Sequence, residues 1–281
     1  MSGPRKKHSV LRNVRIIGRS VIDFFRDDGL MFAASMSYFT MMAIVPFCLF
    51  VITLFGYLLW HYPEFYRYFL SRLMNLFPEV TKEIAQDISK LIYFKGIGKV
   101  GLLLYGLLSY QVFASYESAL NAIFKIKKKR RFIFSVLISL SVVTLIIALL
   151  MVSFAATSIV PLLKALSPFL PGLKIGKITQ FIIRFILPFI LVLFVVTMLY
   201  ILIPKTRINF SDSFKGALFT TLFLEIAKHA FTWYVRSVAE LGKIYGPLTA
   251  FISFLLWVYY SSSIFLIGAE IVHNSGIAKK E

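Results

Sequence analysis

The stretch from Pro247 to Val272, PLTAFISFLLWVYYSSSIFLIGAEIV, carries one charged side chain, that of Glu270. A helix needs about 20 predominantly apolar residues to cross the hydrocarbon core of a bilayer, and this stretch is long enough. Proline suits the first turn of a helix, because its missing N–H would have no helical partner there in any case. The stretch therefore predicts a membrane-spanning helix.

The rest of the chain has the same character. Its 281 residues are 58% hydrophobic and 16% charged, whereas an ordinary soluble domain has about 25% charged residues. Apolar content this high also argues against intrinsic disorder. Six candidate spans can be placed, at about 35–60, 98–124, 132–160, 181–203, 214–238 and 247–272. The predicted fold class is an all-α polytopic membrane protein that forms a single membrane domain over residues 1–281.

The basic residues predict how these spans are oriented. The net charge is +18, and 18 of the 31 Lys and Arg residues fall in segments that are cytoplasmic if the N-terminus is cytoplasmic, against 12 in the outer segments. The inner loop 125–131, KIKKKRR, is the densest. Because cytoplasmic loops of membrane proteins carry an excess of Lys and Arg, we expect both termini in the cytoplasm. The same rule accounts for the basic loop without nucleic acid as a partner.

Two segments outside the spans are amphipathic. Residues 1–34 place Arg12, Arg15 and Arg19 opposite an apolar face, which is typical of a helix that lies on anionic lipid headgroups or packs against the bundle. Residues 61–97 fit two short amphipathic helices at the outer, periplasmic interface. That segment could also bind a periplasmic or membrane protein partner. The sequence leaves a homo-oligomer open.

Ionisable residues inside a span cost at least about 2.5–3.5 kcal/mol at the bilayer centre, so they are the first candidates for function. In the predicted fifth span Thr221, Glu225, Lys228 and Thr232 share one helical face, and His229 lies four residues after Glu225. We expect this polar stripe to face the bundle interior or a water-filled cavity. It is a candidate substrate or proton path, and a structural ion pair is the alternative.

Other polar residues in the spans are further candidates for a substrate path, although anchoring near the membrane interface is favoured for them. In the second span Tyr110, Glu117 and Asn121 follow helical spacing, and Glu117 is close enough to the basic loop to pair with a lysine there. Glu270 lies one turn before His273, where anchoring near the inner interface is favoured over a proton relay. Arg184 is expected to anchor the outer end of the fourth span.

Catalytic and metal-binding patterns are missing from the sequence. The single cysteine, Cys48, lies in an apolar stretch, and the four histidines form no HExxH pair. The chain has no P-loop, no GxGxxG and no GxSxG elbow. We therefore expect no enzyme activity, no metal and no cofactor. The first strong apolar stretch follows about thirty residues rich in basic groups, and it lacks a small-residue cleavage site, so we expect that span to be retained.

The stretch IYGPLTAFISFLLWVYYSSSIFLIGAEIVHN, residues 244–274, resembles the closing signature of the BrkB/YihY family of bacterial inner-membrane proteins. The matching elements in it are Tyr245-Gly246, Leu256-Trp257 with Tyr259, and Gly268-Ala269-Glu270. Further elements follow the family's order along the chain: Ala33-Ala34-Ser35, Tyr38 and Pro46 in the first span, Leu120-Asn121, Pro204 followed by Lys205 where the family usually has Asn, and Gly216-Ala217.

The resemblance implies a six-helix protein of the bacterial inner membrane with links to envelope integrity and lipid export. It also carries an old ribonuclease label, which this sequence disfavours because no residues suit metal-dependent or acid–base cleavage of RNA. The leading hypothesis is a non-enzymatic protein that moves or hands over an amphipathic or anionic envelope substrate such as a lipid. A membrane scaffold or adaptor is the alternative.

Overall fold

A computed structural model describes residues 4–58, 98–126, 133–142, 144–145, 185–238 and 247–278, and every regular element in these ranges is helical. The helices are α1 (Pro4–Arg26), α2 (Gly29–Leu58), α3 (Gly98–Ile123), α4 (Ile133–Val142), α5 (Leu187–Leu202), α6 (Phe210–Val238) and α7 (Pro247–Ile277). The all-α prediction is confirmed for these residues. The outer segment 61–97, Arg184, Tyr245 and Gly246 lie outside the described ranges.

The boundary between α1 and α2 differs from the sequence prediction. The first apolar helix begins at Gly29 and not near residue 35, because a two-residue turn at Asp27 and Asp28 ends the basic helix at Arg26. Asp28 has a φ of 57°, a left-handed conformation that Asp tolerates better than most residues. Gly29 is required by space, since a Cβ at this position would lie 2.5 Å from the Phe24 carbonyl oxygen.

The two intraspan prolines behave differently. The backbone of α2 is helical on both sides of Pro46. Pro188 falls within the predicted span 181–203, where a proline predicts a kink, and it lies in the first turn of α5, directly after a π-helical turn at residues 185–186. Proline cannot donate the i→i−4 hydrogen bond, so an irregular turn just before it is the expected cost of placing it there.

One described helix is long and apolar enough to cross a membrane by length and composition: α7, over Phe251–Ile277, with a mean hydropathy of 1.7. Shorter apolar helical stretches cover Gly29–Ala43, Ile133–Val142 and Leu187–Leu202. The six-span topology, the cytoplasmic placement of both termini and the single membrane domain stay predictions.

The chain divides into two compact units. Unit 1 comprises Met1–Leu30, Glu117–Lys228 and Ser263–Glu281, and unit 2 comprises Met31–Tyr116 and His229–Ser262. In unit 2, the Ser35 and Ser115 hydroxyls of α2 and α3 lie 3.3 Å apart, and the Phe231 and Trp257 rings of α6 and α7 have centroids 5.0 Å apart. Polar and aromatic contacts thus join helices inside this unit.

In unit 1, α6 and α7 cross at two glycines. A Cβ at Gly216 would lie 2.5 Å from the Gly268 carbonyl oxygen, and a Cβ at Gly268 would lie 3.1 Å from the Gly216 carbonyl oxygen. Beside this crossing the Tyr200 hydroxyl of α5 donates to the Phe265 carbonyl oxygen at 2.6 Å and lies 2.8 Å from the Thr220 hydroxyl. Small residues that let two backbones approach closely are the usual means of packing membrane helices.

Helix α1 is amphipathic, as predicted. Ser20 and Phe24 are buried within unit 1, while Arg12, Arg15 and Arg19 are exposed. Exposed apolar side chains accompany the arginines: Val14, Ile17, Ile22 and Phe25. One strip of α1 therefore packs against its own unit, and a basic and apolar surface remains on the outside, which fits both alternatives drawn from the sequence.

We expect Gly18→Ala to stabilise α1. The backbone at Gly18 is helical, and a Cβ there would meet nothing within 4 Å. Alanine is favoured over glycine by about 0.8–1.0 kcal/mol inside a helix. Amide hydrogen exchange of α1 in the purified protein should slow severalfold. Unchanged or faster exchange would mean that this part of α1 is not helical in the membrane.

Candidate functional site

The polar stripe of α6 has a buried end and an exposed part. Thr221 is buried, while Glu225 and Lys228 keep 39% and 54% of their side chains exposed. The Lys228 ammonium lies 2.5 Å from the Glu225 carboxylate, as the i,i+3 spacing predicts. His229 and Thr232, which follow along the helix, are also exposed. The ion pair thus forms, but it lies on the surface of the chain and not in a closed interior.

The ion pair is surrounded by apolar surface. Within unit 1, exposed apolar side chains on the same helix flank it: Leu218, Leu222, Phe223 and Ile226. Glu225 lies one residue past the midpoint of α6, so in a membrane-spanning helix it would be close to the bilayer midplane. A carboxylate and an ammonium set in apolar surface can bind both signs of charge on an amphipathic molecule.

Glu117 lies near the end of α3, and its pairing with a lysine of the basic loop stays a prediction, because residues 127–132 lie outside the described ranges. Glu117 is buried, and its carboxylate accepts a hydrogen bond from the Ser135 hydroxyl of α4. One turn further along α3, the Asn121 side-chain oxygen accepts a hydrogen bond from the Lys205 backbone N–H at 3.3 Å. Tyr110, at the other end of the predicted face, is half-buried beside Phe113. Glu117 and Asn121 thus bind neighbouring elements of unit 1, and a place of these α3 residues in a substrate path stays a prediction.

Glu270 is likewise buried within unit 1, and its placement near the inner interface stays a prediction. It is 1% exposed, and its Oε1 has no hydrogen-bond partner among the described residues. One turn further along α7, the Asn274 side-chain amide donates to Ser20 at 3.0 Å and to Asp23 at 2.9 Å. The end of α7 thus binds α1 through polar side chains that hydrophobic patterning did not identify.

A second set of contacts closes this part of unit 1. Lys125 follows α3 with a left-handed φ of 55°, and its ammonium binds the Asp27 carboxylate. The backbone N–H of Lys125 and that of Ile126 bond back to Ala122 and Asn121, a Schellman ending that fixes the lysine's direction. We call the polar side chains gathered here the α1–α7 cluster: Ser20, Asp23, Asp27, Lys125, Glu270 and Asn274.

Several residues of the resemblance prove to be packing contacts. The backbones at Gly216 and Gly268 pack closely against each other, and the Asn121 side chain accepts a hydrogen bond from the turn that follows Pro204, all within unit 1. Other motif residues differ from these, since Ala34 and Tyr38 are exposed on α2. No group of three or more His, Cys, Asp or Glu side chains within the described ranges could hold a metal ion.

The chain is similar to bacterial proteins that are described as membrane proteins. A relative from Rhodospirillum centenum, 29% identical over 92% of this chain and 56% of its own length, is called a UPF0761 membrane protein. Another from Mannheimia succiniciproducens with the same description is 28% identical over 85% of this chain and 82% of its own length. The chain is thus similar to proteins described as membrane proteins, and its own helices fit that class.

Residues 21–277 match the family described as Virulence factor BrkB. The match covers most of the chain, and the chain belongs to this family. It spans about half the length of the first curated relatives that it matches. The names of these relatives indicate no enzymatic activity. No solved structure matches.

Proposed function

We propose that this protein hands over an amphipathic envelope substrate, such as a lipid, whose headgroup binds at the Glu225–Lys228 pair of α6. The observation that carries the proposal is the ion pair on an exposed part of α6, with an Nζ–Oε1 distance of 2.5 Å. A salt bridge left facing hydrocarbon would be costly. A lipid phosphate at Lys228 and an amine near Glu225 would replace hydrocarbon with matching charges.

The apolar surround supports the same ligand class. Leu222, Phe223 and Ile226 are exposed next to the pair and offer a surface for acyl chains. A small soluble anion would leave this surface unused, whereas a lipid presents a charged headgroup and apolar chains together. Thr221, buried one turn earlier, supplies a hydroxyl at the inner end of the stripe.

The proposal predicts that lipid transfer depends on both charges. The full-length protein is reconstituted in phosphatidylethanolamine–phosphatidylglycerol vesicles with a trace of fluorescent phosphatidylethanolamine, and dithionite quenching follows the exchange of the label between leaflets. Lys228→Met and Glu225→Gln should each slow transfer about tenfold or more, because a hydrogen bond to a charged group contributes roughly 1.5–3 kcal/mol.

The matched control is Lys215→Met. Lys215 forms the same i,i+3 arrangement on α6, with its ammonium 3.7 Å from Asp212, near the start of the helix. It should leave transfer unchanged. Two outcomes would contradict the proposal: unchanged transfer in Lys228→Met and Glu225→Gln, or a wild type that moves no lipid. In either case the ion pair is structural, and the scaffold alternative is favoured.

A further inference from the structure

The carboxyl of Glu270 is the most enclosed acidic group among the described residues of unit 1. It is 1% exposed, and its Oε1 has no hydrogen-bond donor within the part of the chain that the structure describes. Placing an ionised carboxylate in such a site costs far more than placing a neutral acid, because the charge loses its hydration and gains no partner on that oxygen. The geometry alone therefore favours a bound proton.

The surrounding charges point the same way. Two further carboxylates, those of Asp23 and Asp27, and one ammonium, that of Lys125, act electrostatically on Glu270. The ammonium is engaged by Asp27. The Asp23 carboxylate accepts a hydrogen bond from the Asn274 side-chain amide, and the Arg19 guanidinium lies 3.6 Å from it. Lys125 and Arg19 are thus already paired with the two aspartates, and a third negative charge would add repulsion.

His273, the residue before Asn274 on α7, is a further titratable group beside the α1–α7 cluster. Its ring packs edge-on against Phe124, with centroids 5.6 Å apart. It is half-buried, and the same charged groups act on it: Arg19, Asp23, Asp27 and Lys125. Among the described residues, the charged groups that act on Glu270 thus come from α1, the turn after it and the end of α3, and His273 follows Glu270 on α7.

We propose that Glu270 is a proton-binding site, and that its proton holds α1 docked on the end of α7. With the proton bound, Asn274 bridges Ser20 and Asp23 without a neighbouring negative charge. Loss of the proton places a third carboxylate beside Asp23 and Asp27, which weakens both the Asn274 contacts and the docking of α1. The site is formed by α1, the turn after it, the end of α3 and α7, so it stands whether or not α6 binds a lipid.

Infrared difference spectroscopy tests the proton directly. The full-length protein in lipid nanodiscs is compared between mildly acidic and alkaline buffer, and the carbonyl band of a protonated carboxylic acid is followed. We expect a band that is present in wild type at acidic pH and missing from Glu270→Gln. Asp28→Asn, which removes an exposed neighbouring carboxylate where Asn suits the left-handed φ, should keep it. A spectrum that Glu270→Gln does not alter would overturn the proposal.

Hydrogen exchange of α1 tests what the proton does. Wild type and Glu270→Gln are compared at the same pH, so that intrinsic exchange rates cancel. At acidic pH the two should exchange alike, and at alkaline pH wild-type α1 should exchange severalfold faster. If Glu270→Gln does not fold, Glu270→Met supplies an uncharged side chain of similar length. Equal exchange of wild type and the neutral variant at both pH values would refute the docking role.

Discussion

Replacing Gly268 by alanine is expected to lower the free energy of unfolding by about 1–3 kcal/mol, the usual cost of overpacking a filled site. The new Cβ would collide with the hydroxyls of Thr220 and Tyr200 and would lie 3.1 Å from the Gly216 carbonyl oxygen. None of these neighbours can move easily, since the two hydroxyls bind each other and the third contact is backbone. Gly268→Val should prevent folding.

Thermal unfolding of the detergent-solubilised protein, followed by tryptophan fluorescence, measures this effect. The control is Gly276→Ala in the same helix, where a Cβ would meet nothing within 4 Å, so the variant should be neutral or slightly more stable. Adding Tyr200→Phe to Gly268→Ala should recover part of the loss, because it removes one of the colliding oxygens. Equal melting shifts for the two alanine variants would contradict the close crossing.

The helices were predictable where apolar runs and turn residues agree. Pro247 marks the start of α7 in both sequence and structure. The start of α2 was not predictable, because the turn at Asp27 and Asp28 depends on a left-handed φ that leaves no trace in a hydrophobic pattern. The sequence assigned these residues to one basic segment, and the structure divides it into two helices.

The candidate sites were predictable as residues and not as contacts. Burial cost alone identified Glu117, Glu225 and Glu270. The Glu225–Lys228 pair followed from helical spacing, because both partners lie on one helix. The contacts within the α1–α7 cluster could not be predicted in this way, because Asn274 binds Ser20 from 254 residues away. Periodicity predicts the face of a helix but not the helix that packs against it.

Tyr200 is a second residue whose contacts hydrophobic patterning does not predict. In the sequence, Tyr200 is one more apolar residue of the predicted fourth span. In the structure, its hydroxyl connects α5 to α6 through Thr220 and to α7 through Phe265. A buried hydroxyl in a membrane helix has no water to bind, so its protein partners matter more than its apolar ring suggests. The signal that could have found it is Gly268, where a Cβ would collide with the Tyr200 hydroxyl.

Tyr200→Ala and Tyr200→Phe together are expected to separate the contribution of the ring from that of the hydroxyl. Tyr200 is fully buried, and its ring stacks on Phe265 with centroids 4.8 Å apart. Removing a buried aromatic ring costs about 3–5 kcal/mol. Tyr200→Phe keeps the stacked ring and removes two hydrogen bonds, and interhelical bonds in membrane proteins average about 0.6 kcal/mol. We therefore expect a loss of about 1–2 kcal/mol for the phenylalanine variant.

Thermal unfolding is again the measurement, with Tyr260→Phe as the exposed control, expected to change the free energy of unfolding by less than about 0.5 kcal/mol. The order of the three losses in the free energy of unfolding shows what the Tyr200 hydroxyl contributes. If Tyr200→Phe were as mild as Tyr260→Phe, the hydroxyl would add nothing, and α5 would be held to α7 by ring packing alone. If it were as severe as Tyr200→Ala, the hydrogen bonds to Thr220 and Phe265 would hold the three helices together, and the glycine crossing would depend on them.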